Sequence, residues 1–319
     1  MENGLKVYLE KRDKIPLVNI VFAINIGSKD ENKEISGFIH LLEHLMLLGG
    51  TDAYSSDQLI KEIRSKGFYF NAHTSHDLMT LELSSPSLEI DHALELIFEK
   101  VFRLKFISDE LEREKRIILE ELSKSQDDPY SLGIKLLFKH LFSGTPYETH
   151  VAGESDTIKK ATCEGLAAFY NKYFYCANSS ISIVGNFNSI QEMEGKIKSL
   201  FGKLQKQDIK GKTFEKVSKL KKTVKIQREL DITQAHVFFG FLGPDRNHED
   251  KISVDVLAQI LGKGVNPLLY TAFRGRRRLI DSLSLRYYPL RYGGVIITHL
   301  ILSPKNLKAA KTEFLKFIK

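Results

Sequence analysis

Two imidazoles and a carboxylate occupy adjoining positions in His40-Leu41-Leu42-Glu43-His44. On a helix, at 100° per residue, His40 and His44 lie one turn apart on the same face with Glu43 beside them. Two neutral histidines at i and i+4 can hold one Zn²⁺. A neighbouring carboxylate that is not a ligand can then take a proton from a water acidified by the metal. The order H-x-x-E-H is the reverse of H-E-x-x-H and serves the same chemistry. The plain alternative is a solvated helix face with unconnected histidines.

Zinc held by two histidines needs a third protein ligand and an open position. Asp109 to Gln126 (DELEREKRIILEELSKSQ) is rich in helix formers and free of Gly and Pro, so it is predicted as a helix. Its apolar stripe carries Ile117, Ile118 and Leu122. Glu114 and Glu121, seven residues apart, fall on that stripe, whereas Glu120 points away. Carboxylates among isoleucines are costly unless they meet a cation. A surface ion pair is the ordinary alternative for Glu114.

The motif HLLEH, the later run EREKRIILEEL and the spacing between them resemble the M16 metallopeptidases, the family of insulin-degrading enzyme, pitrilysin and mitochondrial processing peptidase. IPLVNIVFAINIGSKDE, GGTDAYSS, GFYFNAHTSHDLMTLELSSP, PYETHVAGESDTI and SISIVGNFNS look like further family blocks, and together they span essentially the whole chain. The resemblance implies one Zn²⁺ per chain held by His40, His44 and Glu121. Glu43 would be the general base and Glu114 a supporting acidic residue of the catalytic set. Asn71 and Ala72 match the Asn-Ala of a strand that pairs with an extended peptide substrate, a mode of binding through the backbone. His73 and His76 are set aside as a second metal pair, because a spacing of three on a strand puts them on opposite faces.

The family's second half usually carries an arginine and, seven residues later, a tyrosine that contact the substrate carbonyl. Arg274 fits the arginine, but Asp281 stands at the tyrosine's position and Arg278 replaces a customary glycine. A carboxylate would repel the oxyanion that a phenol stabilises. The implied function is a zinc-dependent endopeptidase for short or unfolded peptides, working as a homo- or heterodimer with an M16-like subunit that supplies the Arg/Tyr pair. The alternative is a catalytically impaired or structural subunit of the same fold.

Composition sets bounds on this reading. The chain has 319 residues, 42% hydrophobic and 27% charged, enough for two globular domains. No run of eighteen apolar residues predicts a membrane span, and MENGLKVYLEKRDKIP lacks the apolar core of a signal peptide. Cys163 and Cys176 are isolated thiols, so a reducing compartment, the cytoplasm, is expected. Net charge is +7. Lys219, Lys221, Lys222 and Lys225 form one basic cluster, and Arg274, Arg276, Arg277 and Arg278 another. Neither has the interleaved aromatics or recognition helix of a nucleic-acid binder, so no nucleic-acid partner is expected.

The elements that must position these residues recur. A shift of 217 residues lays Ile20-Val21-Phe22-Ala23 on Val237-Phe238-Phe239-Gly240 and Glu34-Ile35-Ser36 on Lys251-Ile252-Ser253. It puts Leu257, Ile260 and Leu261 where His40, Glu43 and His44 stand. The predicted fold is α+β, with two related domains that each pair an antiparallel sheet with helices on one side, as the M16 resemblance also implies. Strands are predicted at 68–74, 77–85, 178–185 and 223–230, and helices at 189–204 and 306–318. The zinc-bearing domain is expected over 1–210, a polar lysine-rich linker over 211–222, and a shorter, incomplete domain without metal residues over 223–319.

Overall fold

In β2 (Leu17–Ile24), Val18, Ile20, Phe22 and Ile24 are fully buried while the residues between them face outward, the pattern of a strand with one covered face. The computed structural model describes every residue except 208–213, 218, 219, 221, 277 and 319, and the side chain of 276. Lys219, Lys221, Arg277 and much of the expected linker lie outside the described residues. Two compact units are formed, one from Met1–Leu122 with Thr149–Lys212 and the other from Ser123–Glu148 with Thr213–Lys319.

In the first unit, β2 is the centre of a five-stranded sheet. The order is β1 (Lys6–Lys11), β5 (Ser179–Gly185), β2, β4 (Met79–Pro86) and β3 (Tyr69–Thr74). The predicted antiparallel pairing holds except at one edge, where β1 runs parallel to β5 because β5 is inserted between β1 and β2. Ile20 sits opposite Ile183 and Leu83, and Phe22 opposite Ile181 and Leu81, so branched and aromatic side chains stack across three strands. α1 (Phe38–Leu48), α3 (Ile90–Phe102) and α8 (Ile190–Phe201) cover this face. Phe201 of α8 meets Phe22, Phe98 and Phe102 at ring-centroid distances of 6.0, 5.4 and 6.0 Å. Also in the unit are α2 (Ser56–Ser65), α6 (Ser155–Lys160), α7 (Cys163–Tyr173) and most of α4 (Ser108–Asp127), which matches the helix predicted from Asp109 to Gln126.

The second unit contains a three-stranded antiparallel sheet, β6 (Ala235–Gly243), β8 (Gly293–Leu302) and β7 (Ser282–Leu290), with α9 (Lys251–Gly262), the short α10 (Leu268–Tyr270) and α11 (Leu307–Phe317). α5 (Pro129–Leu141) packs against β6. Close approach is possible because Gly133 faces the Phe238 ring and Gly240 faces Leu137, where a Cβ on either glycine would collide. The 217-residue offset carries β2 to β6, α1 to α9, β3 to β7, β4 to β8 and α3 to α11, and the order β2-β4-β3 reappears as β6-β8-β7.

One predicted element is not formed. Residues 223–230 carry no strand, and Val224, Ile226 and Leu230 are exposed. Their counterpart β1 owes its place to β5 alone, and among the described residues no strand fills the position of β5 beside β6. No helix among the described residues is long and apolar enough to cross a membrane.

Candidate metal centre

α1 carries the histidines, and both its ends are held by buried or half-buried charges. It starts after Gly37, whose φ of +94° lies in the left-handed region that favours glycine. Glu31 accepts hydrogen bonds from the backbone N–H of Gly37 (2.8 Å) and of Ile39 (2.7 Å). At the other end the fully buried Lys100 donates to the carbonyls of Gly49 (2.7 Å) and Leu47 (3.4 Å), and Glu110 accepts from the N–H of Gly50 at 2.9 Å. A carboxylate at the N-terminus and an ammonium at the C-terminus each match the helix dipole. Burial pushes Glu31 up to about 8 against the pull of the Gly37 and Ile39 N–H groups, and pushes Lys100 down to about 7 against the Glu110 charge.

On the open face of α1 the rings of His40 and His44 stand 4.8 Å apart, nearly perpendicular at 83°. α4 brings Glu121 to them. Its Oε2 lies 3.9 Å from His40 Nε2 and 3.7 Å from His44 Nε2, and one donor atom from each of the three residues lies within 4.8 Å of the others. Donors about 2.1 Å from a tetrahedral zinc are separated by roughly 3.4 Å, so a contraction of a few tenths of an ångström would suit the ion. The side chain of Glu121 is 47% exposed against 16% and 14% for the histidines, which leaves the group open to solvent on one side.

Glu114, on the stripe of α4 predicted from the sequence, is fully buried. Its Oε2 lies 3.2 Å from His44 Nδ1, and its Oε1 accepts from Arg113 Nε at 3.0 Å. It therefore touches a ligand's far nitrogen, which makes it a positioning residue where the sequence placed it in the catalytic set. Glu120 is exposed. Burial alone would lower His44, but the Glu114 hydrogen bond and the Glu121, Glu114 and Glu43 charges raise it. Burial alone would raise Glu114, but the hydrogen bonds from His44 and Arg113 hold it down. His40 is pushed down to about 4 by burial, with help from His44 and His150, so it is the neutral imidazole that a metal requires. Its Nδ1 is buried with no hydrogen-bond partner among the described residues. Burial raises Glu43 above the usual carboxylate range, against the pull of Thr74, His44 and His73. A base that must also give its proton away benefits from such a shift.

Asn71 and Ala72 lie on β3, the edge strand of the first sheet, opposite Glu82 and Leu81 of β4. The Asn71 side chain is exposed and Ala72 is buried, so the free edge of the strand, rather than both side chains, is what a peptide could reach. His73 and His76 fall outside the metal-capable group; burial and His150 hold His76 down near 4. Arg274 belongs to the second unit. Its guanidinium donates to the Asp281 carbonyl at 2.5 Å and lies 5.8 Å from the centroid of the Tyr270 ring, while the Asp281 carboxylate accepts from Gln234 Nε2 at 3.1 Å. Arg278, where the family has glycine, adopts a positive φ of 50°.

Glu31 and Lys100 carry weak signals in the sequence. Lys100 interrupts the apolar stripe Ile90, Ala93, Leu94, Ile97, Val101 of α3, a position where a lysine has no solvent to reach. Glu31 lies six residues before the helix cap, too far for a capping-box pattern.

A family model described as "Insulinase (Peptidase family M16)" matches residues 6–155, and one described as "Peptidase M16 inactive domain" matches residues 160–319. The chain is 28% identical over 321 residues to an uncharacterized zinc protease of Rickettsia felis, covering 99% of this chain and 76% of that protein. It is 26% identical over 284 residues to an uncharacterized zinc protease of Bacillus subtilis, covering 88% of this chain and 68% of that protein. The fold is shared with a protease from Helicobacter pylori, with a TM-score of 0.91 at 23% identity over 99% of this chain and 78% of that one.

Proposed function

Because the chain belongs to the insulinase family, peptidase family M16, we propose that it is a zinc-dependent endopeptidase acting on short or unfolded peptides. The observation that carries the reading is the convergence of His40, His44 and Glu121, from two separate helices, with donor atoms within 4.8 Å of one another. These three would hold one Zn²⁺, and Glu114 would fix the His44 ring through its Nδ1. The bound ion supplies Lewis acidity, which acidifies a water and polarises a peptide carbonyl. Glu43 takes the proton of the attacking water and delivers it to the departing amine, so no covalent intermediate with the protein forms. The free edge of β3, with Asn71, aligns the substrate backbone as an added strand.

Asp281 leaves the chain without the family's tyrosine, and a second M16-like subunit supplying the Arg/Tyr pair completes this reading. Both cysteines are free thiols, which suits a reducing compartment such as the cytoplasm. The test is metal analysis of the purified protein followed by peptide hydrolysis with and without a chelator. Glu43→Gln should keep its zinc and lose about 10²–10⁴-fold in hydrolysis. Zinc-free protein, or full hydrolysis by that variant, would overturn the proposal. Stoichiometric zinc with no hydrolysis, alone or with an added M16 subunit, would favour the impaired-subunit alternative.

A further inference from the structure

The first unit shows what a complete sheet of this kind contains. There β5 lies between β1 and β2. Ile181 pairs with Val7 and Phe22, and Ile183 pairs with Leu9 and Ile20. Shifted by 217, those four partners become Val224, Phe239, Ile226 and Val237. Among the described residues no strand lies between them, since β6 is an edge strand and 223–230 pairs with nothing. Val224 and Ile226 are 47% and 41% exposed, and β6 lacks the strict in–out burial of β2.

The helices repeat the comparison. Phe201 of α8 packs edge-on against Phe98 of α3, and Lys196 of α8 pairs with Asp91 of α3 at 2.6 Å. Their counterparts on α11 are the exposed Leu315 and the exposed Lys308. Glu99 likewise becomes Lys316. Lys316 reaches Glu313 on its own helix at 3.1 Å, and Lys308 and Lys311 have no ion-pair partner among the described residues. Lys222, Lys225 and Arg228 add exposed positive charge along the unpaired segment. The apolar positions of the first unit are thus preserved, while the charge that faces α8 is inverted.

We infer that this open side of the second unit is a docking surface for a strand-and-helix segment of a second polypeptide. The strand, apolar at alternate positions, enters between 223–228 and β6, and the acidic helix that follows lies on Leu315 and Lys308. An unpaired edge with exposed aliphatic residues is a template for strand addition. The basic rim selects an acidic occupant and disfavours another copy of α8, whose Lys196 would meet Lys308. The inference depends on neither the metal nor the peptidase reading.

The test uses the 319-residue chain with fluorescent peptides of sequence Ser179–Lys203, one native and one carrying Lys196→Glu. The Lys196→Glu peptide should bind saturably and at least tenfold more tightly than the native one. Its binding should slow backbone hydrogen exchange in 223–228 and β6. The double variant Val224→Asp with Ile226→Asp changes only exposed side chains and should weaken binding at least tenfold with an unchanged circular dichroism spectrum. Lys308→Glu should reverse the peptide preference. Absence of saturable binding, equal affinity for the two peptides, indifference to either variant, or protection confined to β1 and β2 would each overturn the inference.

Discussion

Removing Glu114 separates the role of the ligands from that of the residue behind them. The carboxylate is fully buried, with Oε2 3.2 Å from His44 Nδ1 and Oε1 3.0 Å from Arg113 Nε. A hydrogen bond to a charged group contributes about 1.5–3 kcal/mol, and 1.4 kcal/mol is a factor of ten in affinity. Glu114→Gln keeps an acceptor oxygen for the ring but loses the charge, so zinc affinity should fall about tenfold. Glu114→Ala removes the acceptor and should cost about 30–100-fold, within the range for partners of metal-bound histidines. Competition with a chromophoric chelator at neutral pH reads the affinity, and thermal melts of the metal-free proteins read stability separately. Unchanged zinc affinity in both variants, with only the metal-free melting temperature lowered, would reduce Glu114 to a packing role and refute the reasoning.

Three more expectations concern the scaffold. Glu31→Ala leaves the N–H groups of Gly37 and Ile39 without their acceptor, which should cost about 1–3 kcal/mol per buried group in urea denaturation, while Glu31→Gln should recover part of it; equal midpoints for wild type and Glu31→Ala would remove Glu31 as a cap. Lys100 is held down from 10.5 to about 7, so between those values the unfolded chain keeps a proton that the folded protein has released, and stability should rise with pH across that window. The stability difference between wild type and Lys100→Met should follow the same slope, and a flat difference would count against a buried, depressed lysine. Arg278→Gly relieves a left-handed conformation that costs a side-chain-bearing residue about 1–2 kcal/mol, offset in part by the entropy glycine brings to the unfolded chain. A net gain of up to about 1 kcal/mol in thermal melts is expected, and a clear loss would mean that the Arg278 side chain does more than occupy a turn.

The candidate centre was legible because its parts are local. His40, Glu43 and His44 sit within one helical turn, and the stripe of α4 places Glu114 and Glu121 on one side by the same period. The period says which face a residue takes but not how far it reaches. Glu114 and Glu121 look alike in sequence, yet one is buried behind His44 and the other opens to solvent beside both histidines. Lys100 looks out of place in an apolar stripe until the carbonyls of Leu47 and Gly49 are found beside it.

Strand 223–230 shows the limit from the other side. Val224 and Ile226 have the same alternation as Val7 and Leu9, and the alternation is real in both. Only the second pair finds a neighbouring strand, because sheet hydrogen bonds come from residues distant in the chain. α5, which follows α4 directly, belongs to the second unit for a similar reason: Gly133 and Gly240 let it approach β6, and no local pattern announces that meeting.

By itself, then, the chain determined its helices and strands, the repeat that relates its two sheets, and the residue types able to bind a divalent ion, since each of these is written within a few turns or at a fixed offset. The tertiary fold alone decided that Glu121 meets the two histidines, that Glu114 stands behind one of them, and that Glu31 and Lys100 hold the ends of α1. Those contacts join segments tens of residues apart, and only packing of the sheet and helices brings them within bonding distance.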